Sequence, residues 1–312
     1  MGVTETYSRE SIRFPPSGFV WVPRAGRREA AAGLSMYSPC APLVVLAQRA
    51  LYAAVRAVGP WVMPGPRASW AEPAGDAWDA LCAAWRATLG EWDAVALYHR
   101  PDQGRTGFAL LLLREGRPLA FVRVTTDPSR TEREFAVLAG LHAAAPRSFV
   151  TAAPIAHGEV DGWGWLATES VPNYPLGALR RAETRHTIAG EIGTVLTGIL
   201  ERPAGTPEHW IACHGDFSPW NLRTSIRGTV WVIDWEDAAW APPGVDLLYG
   251  DLTAHTTFGS PLPAQTSAEA AEWVGAILSA RLTAGEDRSS INNRLLAALA
   301  QVPRDQEHYS SQ

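Results

Sequence analysis

Between residues 213 and 237 the chain reads Cys-His-Gly-Asp-Phe-Ser-Pro-Trp-Asn and then Val-Trp-Val-Ile-Asp-Trp-Glu-Asp. His214, Asp216 and Asn221 stand in an H-x-D-x-x-x-x-N pattern, and Asp234 closes an apolar run of β type. Chemistry accounts for these residue types as a set. One Asp can orient or accept the proton of an attacking hydroxyl, an Asn supplies a neutral oxygen to a hard divalent cation, and a further Asp supplies an anionic one. Each piece alone is weak, since HxD occurs by chance and surface Asp residues are common. Together they demand a loop and a strand that bring four side chains to one place.

The flanking pattern supplies an order of elements. Asp93 to His99, Phe108 to Arg114 and Leu119 to Val124 read as strands, with Glu115-Gly116-Arg117 as a hairpin turn. Ser129 to His142 reads as an amphipathic helix with Phe135, Leu138 and Leu141 on one face. Strands are expected again at Ile155 to Glu159 and Trp163 to Glu169, and a long helix at Ala178 to Leu200. Upstream, two helical patterns lie near 41–58 and 76–89, and residues 1–40 are rich enough in Pro, Gly, Ser and Arg to be partly irregular.

The motif resembles that of the aminoglycoside phosphotransferase/choline kinase family, the small-molecule branch of the protein-kinase-like fold. The residues that carry the resemblance are His214-Gly215-Asp216, Pro219, Asn221, Ile233-Asp234-Trp235-Glu236, and a later Pro243, Asp246 and Leu247. It implies an α+β bilobal kinase-like fold, with an antiparallel β-sheet N-lobe at 91–170, a mainly helical C-lobe at 171–312, and an N-terminal extension at 1–90. It also implies an ATP-dependent transfer of the γ-phosphate to a small-molecule hydroxyl on an aminoglycoside, sugar, amino sugar or amino alcohol. Asp216 would be the catalytic base, with His214 at the catalytic loop as its structural brace. Asn221 and Asp234 would hold Mg²⁺, Arg123 set by Glu134 would hold the α/β-phosphates, and backbone groups from Glu169 to Val171 would receive adenine.

Several positions leave two readings open. Family members usually carry Lys where this chain has Arg123, and Arg is a larger planar fork rather than a point charge. Either the kinase is inactive, a nucleotide- or partner-binding pseudokinase, or Arg123 follows the habit of a chain whose 27 basic residues are all Arg. Glu134 can equally pair with Arg130 on its own helix. Asp246 either ties down the loop or caps a helix. Glu236 and Asp237 read as solvated acids or as a bias on the metal site. Trp220, Trp235 and Trp240 read as core or as a pocket lining, and Gly104 to Gly107 as a phosphate-covering loop or an ordinary hairpin.

Composition excludes other classes. A net charge of −5 gives no support for a nucleic-acid surface. Cys40, Cys82 and Cys213 are odd in number and fit no metal pattern, which together with a polar N-terminus points to a reducing cytoplasm. The apolar stretch Leu43 to Val58 carries Arg49 and Arg56 seven apart, on one helical face, so it reads as an amphipathic helix and not a membrane span.

Overall fold

The computed structural model describes residues 10–16, 18–99, 107–284 and 289–305. The described residues divide into two compact units, one within 10–99, 107–139 and 151–177, the other within 140–150 and 178–305.

The first unit is built on one antiparallel sheet. Its strands are β1 (Glu10–Phe14), β2 (Val20–Pro23), β3 (Arg67–Ser69), β4 (Ala94–His99), β5 (Gly107–Arg114), β6 (Arg117–Thr125), β7 (Pro154–Val160) and β8 (Trp163–Thr168), in the order β3-β1-β2-β4-β5-β6-β8-β7. Its helices are α1 (Arg27–Ser35), α2 (Pro42–Ala57), α3 (Trp78–Leu89) and α4 (Pro128–Ala144). The leucine run of β5 explains why this strand is central. Leu110 and Leu112 face a core with Trp78, Leu81 and Trp85 of α3, while Leu111 and Leu113 face Ala32 of α1. A strand covered on both faces needs apolar side chains at every position, not at alternate ones. Two hairpins turn through paired positive φ values, Glu115-Gly116 (52° and 71°) and Asp161-Gly162 (50° and 79°). Both match the type I′ turn that suits the right-handed twist of paired strands.

The N-terminal stretch departs from the irregular segment expected. β1 pairs with β2 and β3, and β2 joins β4 through Val20↔Tyr98 and Trp21↔Leu97, so three extra strands extend the same sheet. The apolar patch at 19–22 was the local trace of β2; β4, the strand that joins it to the rest of the sheet, lies some 75 residues downstream, beyond any pattern window. Helix α2 covers the stretch read as an amphipathic helix, but its buried side includes a polar residue. Gln48 is buried, donating to the carbonyls of Leu34 (3.0 Å) and Tyr37 (2.6 Å), whereas Leu43 is 80 % exposed. Arg49 is half-buried and donates to Pro175 O at 3.1 Å, so only Arg56 of the expected pair stays at the surface. Among the described residues no helix is long and apolar enough to cross a membrane.

The second unit is mainly helical. It contains β9 (Gly177–Ala178), α5 (Ala182–Thr197), β10 (Ile211–Cys213), β11 (Leu222–Thr224), β12 (Val230–Val232), β13 (Ala239–Ala241), α6 (Val245–Phe258), α7 (Ala268–Thr283) and α8 (Ser289–Leu299). Helices α6, α7 and α8 share a core of Leu248, Leu252, Val274, Leu278 and Leu295. Two short antiparallel pairs, β10 with β13 and β11 with β12, project the motif loops. Val150 donates to Val230 O and accepts from Val232 N–H, anchoring the segment after α4 to β12.

That segment is held by Glu191 of α5, which accepts from the Arg147 N–H (2.7 Å), the Ser148 N–H (2.8 Å) and the Ser148 hydroxyl. Burial pushes its carboxyl upward, but these donors outweigh burial and hold it below the ordinary glutamate range. A depressed carboxyl stabilises the fold above its unfolded pKa and loses that contribution as pH falls through the folded one. Glu191→Gln is therefore expected to lower stability by about 1–3 kcal/mol at neutral pH. The gap to the parent should narrow as pH drops below about 4.5. Urea melts at pH 7 and pH 3.5 check both limbs, and a gap independent of pH rules this account out.

Candidate active site

In the first unit, β6 alternates burial so that Ala120, Val122 and Val124 enter the core and Arg123 takes the other face. Arg123 lies in register with Ala109 and Leu166 of the neighbouring strands. Its Nη1 meets Oε2 of Glu134, on α4, at 3.0 Å, and the Glu134 carboxylate is nearly buried. A buried carboxylate needs a partner, and the guanidinium supplies one. Glu134 is thus more than a solvated helix acid.

The segment after β8 places Glu169 at the surface. Its N–H donates to Ala153 O at 2.8 Å and its carbonyl accepts the Thr168 hydroxyl at 3.0 Å, so its backbone is already engaged. Val171 is half-buried. The glycine turn at 104–107 lies outside the described residues except for Gly107, which begins β5.

The second unit assembles the motif. Leaving β10, the chain turns at Gly215, whose φ is 82° and whose Cα sits so close to Asp237 that an added Cβ would lie 2.1 Å from its carbonyl oxygen. Asp246, near the start of α6, accepts from the His214 N–H (2.8 Å) and the Gly215 N–H (3.1 Å). It therefore ties down the loop and does not cap its own helix, which has no side-chain cap. Burial raises the Asp246 carboxyl above its ordinary range, partly offset by those two donors.

His214 is fully enclosed. Its Nδ1 accepts from the Asp216 N–H (3.2 Å), its Nε2 donates to Ile233 O (3.1 Å), and its ring lies 4.5 Å from that of Trp235. Those partners assign the Nε2–H tautomer. The geometry makes His214 a brace between the loop and the segment after β12 that carries Asp234. Asn221 completes the loop: its Nδ2 donates to both the backbone O and Oδ2 of Asp216, each at 2.9 Å, which points its Oδ1 the other way. Asn221 O accepts from Ile233 N–H at 3.0 Å, so Asp234 follows directly from a group held by Asn221. Asp234 itself lies past the end of β12, half-buried, with φ 69°.

Asp216 is the least satisfied member of this set. It is 8 % exposed, a carboxylate offers about four acceptor sites, and its side chain receives one hydrogen bond, from Asn221. Its Oδ1 is shielded and accepts no hydrogen bond, although Arg281 Nη1 lies 3.5 Å away at ion-pair distance. Arg281, on α7, is the residue that sequence reasoning missed. It also donates to Tyr249 OH (2.6 Å), approaches Asp237 Oδ2 (3.4 Å) and lies over the Tyr249 ring. No local spacing marks it, because α7 follows the motif by some 30 residues and only packing brings it back.

Two of the three tryptophans resolve as core. Trp235 is enclosed, with Nε1 donating to Val232 O at 3.2 Å, and Trp240 donates to Glu201 O at 3.0 Å under the Arg202 guanidinium. Trp220 stays half-buried. Asp237 faces Arg281 and so is more than a solvated acid. Cys213 precedes His214 on β10, and burial holds its thiol well above the ordinary range, which suits packing and not nucleophilic attack.

Among the described residues no three His, Cys, Asp or Glu side chains cluster as a metal site. Asp234 and the free oxygen of Asn221 instead offer one anionic and one neutral ligand. That set suits Mg²⁺, which binds through one or two carboxylates and completes its shell with water and phosphate oxygens.

Residues 39–288 match the model of the phosphotransferase enzyme family (APH). No curated protein matches the chain. Similar solved structures include spectinomycin phosphotransferase in complex with ADP and spectinomycin (10 % identity, 72 % of this chain and 97 % of that one, TM-score 0.47). Others are aminoglycoside 2′-phosphotransferase-IIIa as its GDP complex (13 %, 71 % and 98 %, TM-score 0.44) and choline kinase from Streptococcus pneumoniae (15 %, 71 % and 98 %, TM-score 0.43). At these scores the likenesses say nothing of what this chain binds.

Proposed function

The chain belongs to the phosphotransferase enzyme family, and from that premise we propose that it transfers the γ-phosphoryl group of ATP to a hydroxyl of a small molecule. The observation that carries this reading is Asp216: an almost buried carboxylate whose side chain receives a single hydrogen bond, from Asn221. A nearly buried carboxylate with acceptor capacity left unused is costly unless a ligand donates to it.

In the proposed reaction the acceptor hydroxyl donates to the Asp216 carboxylate. Its oxygen forms the new bond to the γ-phosphorus, the bond from that phosphorus to the β,γ-bridging oxygen breaks, and the proton passes to Asp216. Asn221 and Asp234 would hold Mg²⁺, which when bound neutralises charge on the nucleotide phosphates. Arg123, set by Glu134, would steady the α/β-phosphates, and the Val171 backbone would meet adenine, since the Glu169 N–H is already used. His214 and Asp246 act by holding the loop. A small acceptor is favoured because only a turn and β13 separate Asp234 from α6, too little chain to dock a peptide. Candidate acceptors are aminoglycosides, hexoses, hexosamines and choline-like amino alcohols.

A coupled assay of Mg·ATP consumption against such a panel tests this, with Asp216→Asn as the blank. Turnover with at least one acceptor, absent from the blank, is the expected result. Mg·ATP that raises the melting temperature without turnover on any acceptor would instead favour a nucleotide-binding pseudokinase, the reading that Arg123 keeps open.

A further inference from the structure

We propose that Arg281 is a positioning residue for phosphoryl transfer, locking the Asp216 carboxylate so that Oδ2 faces the acceptor hydroxyl. The inference rests on Asp216 being the proton acceptor. A carboxylate held at one oxygen by a single amide can still swing about its last bond. Here Asn221 Nδ2 holds Oδ2 at 2.9 Å, and the guanidinium lies 3.5 Å from Oδ1 and helps to cover it. Contact on both oxygens leaves one orientation, and Oδ2 keeps acceptor capacity for a second donor.

The guanidinium is itself fixed. Tyr249 OH accepts from Nη1 at 2.6 Å, its ring lies 5.5 Å from Cζ, and Asp237 Oδ2 faces Nη2 at 3.4 Å. Tyr249 comes from α6, Asp237 from the turn after Asp234, and Arg281 from α7, so three elements converge on one charge. A planar fork faces Asp216 and Asp237 with two different nitrogens, where an ammonium would have to reach both from a single point. The placement also offsets charge. Asp216, Asp234, Glu236 and Asp237 lie within about 20 residues of one another, where an anionic triphosphate would have to be accepted.

The test measures Mg·ATP hydrolysis with water as acceptor, alongside melting temperature. Arg281→Met is expected to lower kcat by about 10- to 100-fold while KM for Mg·ATP stays within about threefold, since misplacing a reacting group costs rate and not nucleotide binding. Arg281→Lys should fall between parent and Arg281→Met. Methylguanidinium, below denaturing concentration, should restore at least about tenfold to Arg281→Ala without raising its melting temperature. A kcat for Arg281→Met within about twofold of the parent overturns the inference. So does a loss that follows the melting temperature and is not rescued. Asp216→Ala separates the levels: if it stays active, or the parent consumes no Mg·ATP with water or any panel acceptor, the proposed function fails. If Asp216→Ala is silent and Arg281→Met is unaffected, only the role of Arg281 fails.

Discussion

Asp216→Ala is expected to lower phosphoryl transfer by about 10²- to 10⁴-fold, the range of a positioned proton acceptor, while leaving the protein folded. The fold should tolerate the loss because Asn221 Nδ2 keeps its second acceptor, the Asp216 backbone oxygen at 2.9 Å. The loop also keeps the Asp246 carboxylate on the His214 and Gly215 N–H groups. Removing a nearly buried, under-bonded carboxylate even relieves desolvation, so the melting temperature should hold or rise slightly, as when an active-site group is traded for stability. The pairing of the two results is the diagnostic. Steady-state rates with any active acceptor, together with calorimetry, check it. Activity within about tenfold of the parent would remove Asp216 from the chemistry.

Gly215→Ala is expected to be worse for the molecule than any change of a motif side chain. A non-glycine residue at φ 82° costs about 1–2 kcal/mol by itself. Here the new methyl would also lie 2.1 Å from the Asp237 carbonyl oxygen, a backbone atom that cannot rotate away. Relief requires moving either the loop that carries His214 and Asp216 or the turn that carries Asp237, and each is pinned. The total should exceed about 4 kcal/mol and remove transfer activity together with stability. Gly244→Ala is the matched control, since its φ is 89° but nothing lies within 4 Å of the added carbon. It should show the conformational cost alone, about 1–2 kcal/mol. Equal melting temperatures for the two variants would show that the close approach to Asp237 carries no weight.

The candidate site was readable to different depths in its two halves. That Asp216, Asn221 and His214 come together was legible because the loop closes on itself: the Asp216 N–H meets His214 Nδ1, and Asn221 meets Asp216, within eight residues. The Arg123–Glu134 pair was also accessible, because a strand, a short turn and a helix bring residues 11 apart to 3.0 Å. Asp246 was seen but left between two roles, since a helix N-terminus offers both and only the contact with His214 and Gly215 decides. Trp235 and Trp240 likewise could be core or pocket until their indole N–H groups were found on Val232 O and Glu201 O.

Hydrophobic period shows the same division. Amino-acid order alone determined the strands β4 to β8 and the helices α2 to α4 to within a few residues, and it determined the H-G-D…N…D set. Those features depend on neighbours a few positions apart, where backbone geometry leaves little freedom. Tertiary structure alone decided that β1, β2 and β3 extend the sheet, that Gln48 and not Leu43 turns inward, and that Arg281 stands beside Asp216. Each of these is a contact between distant segments, chosen by which buried groups can be satisfied once the chain packs, and no local spacing encodes that choice.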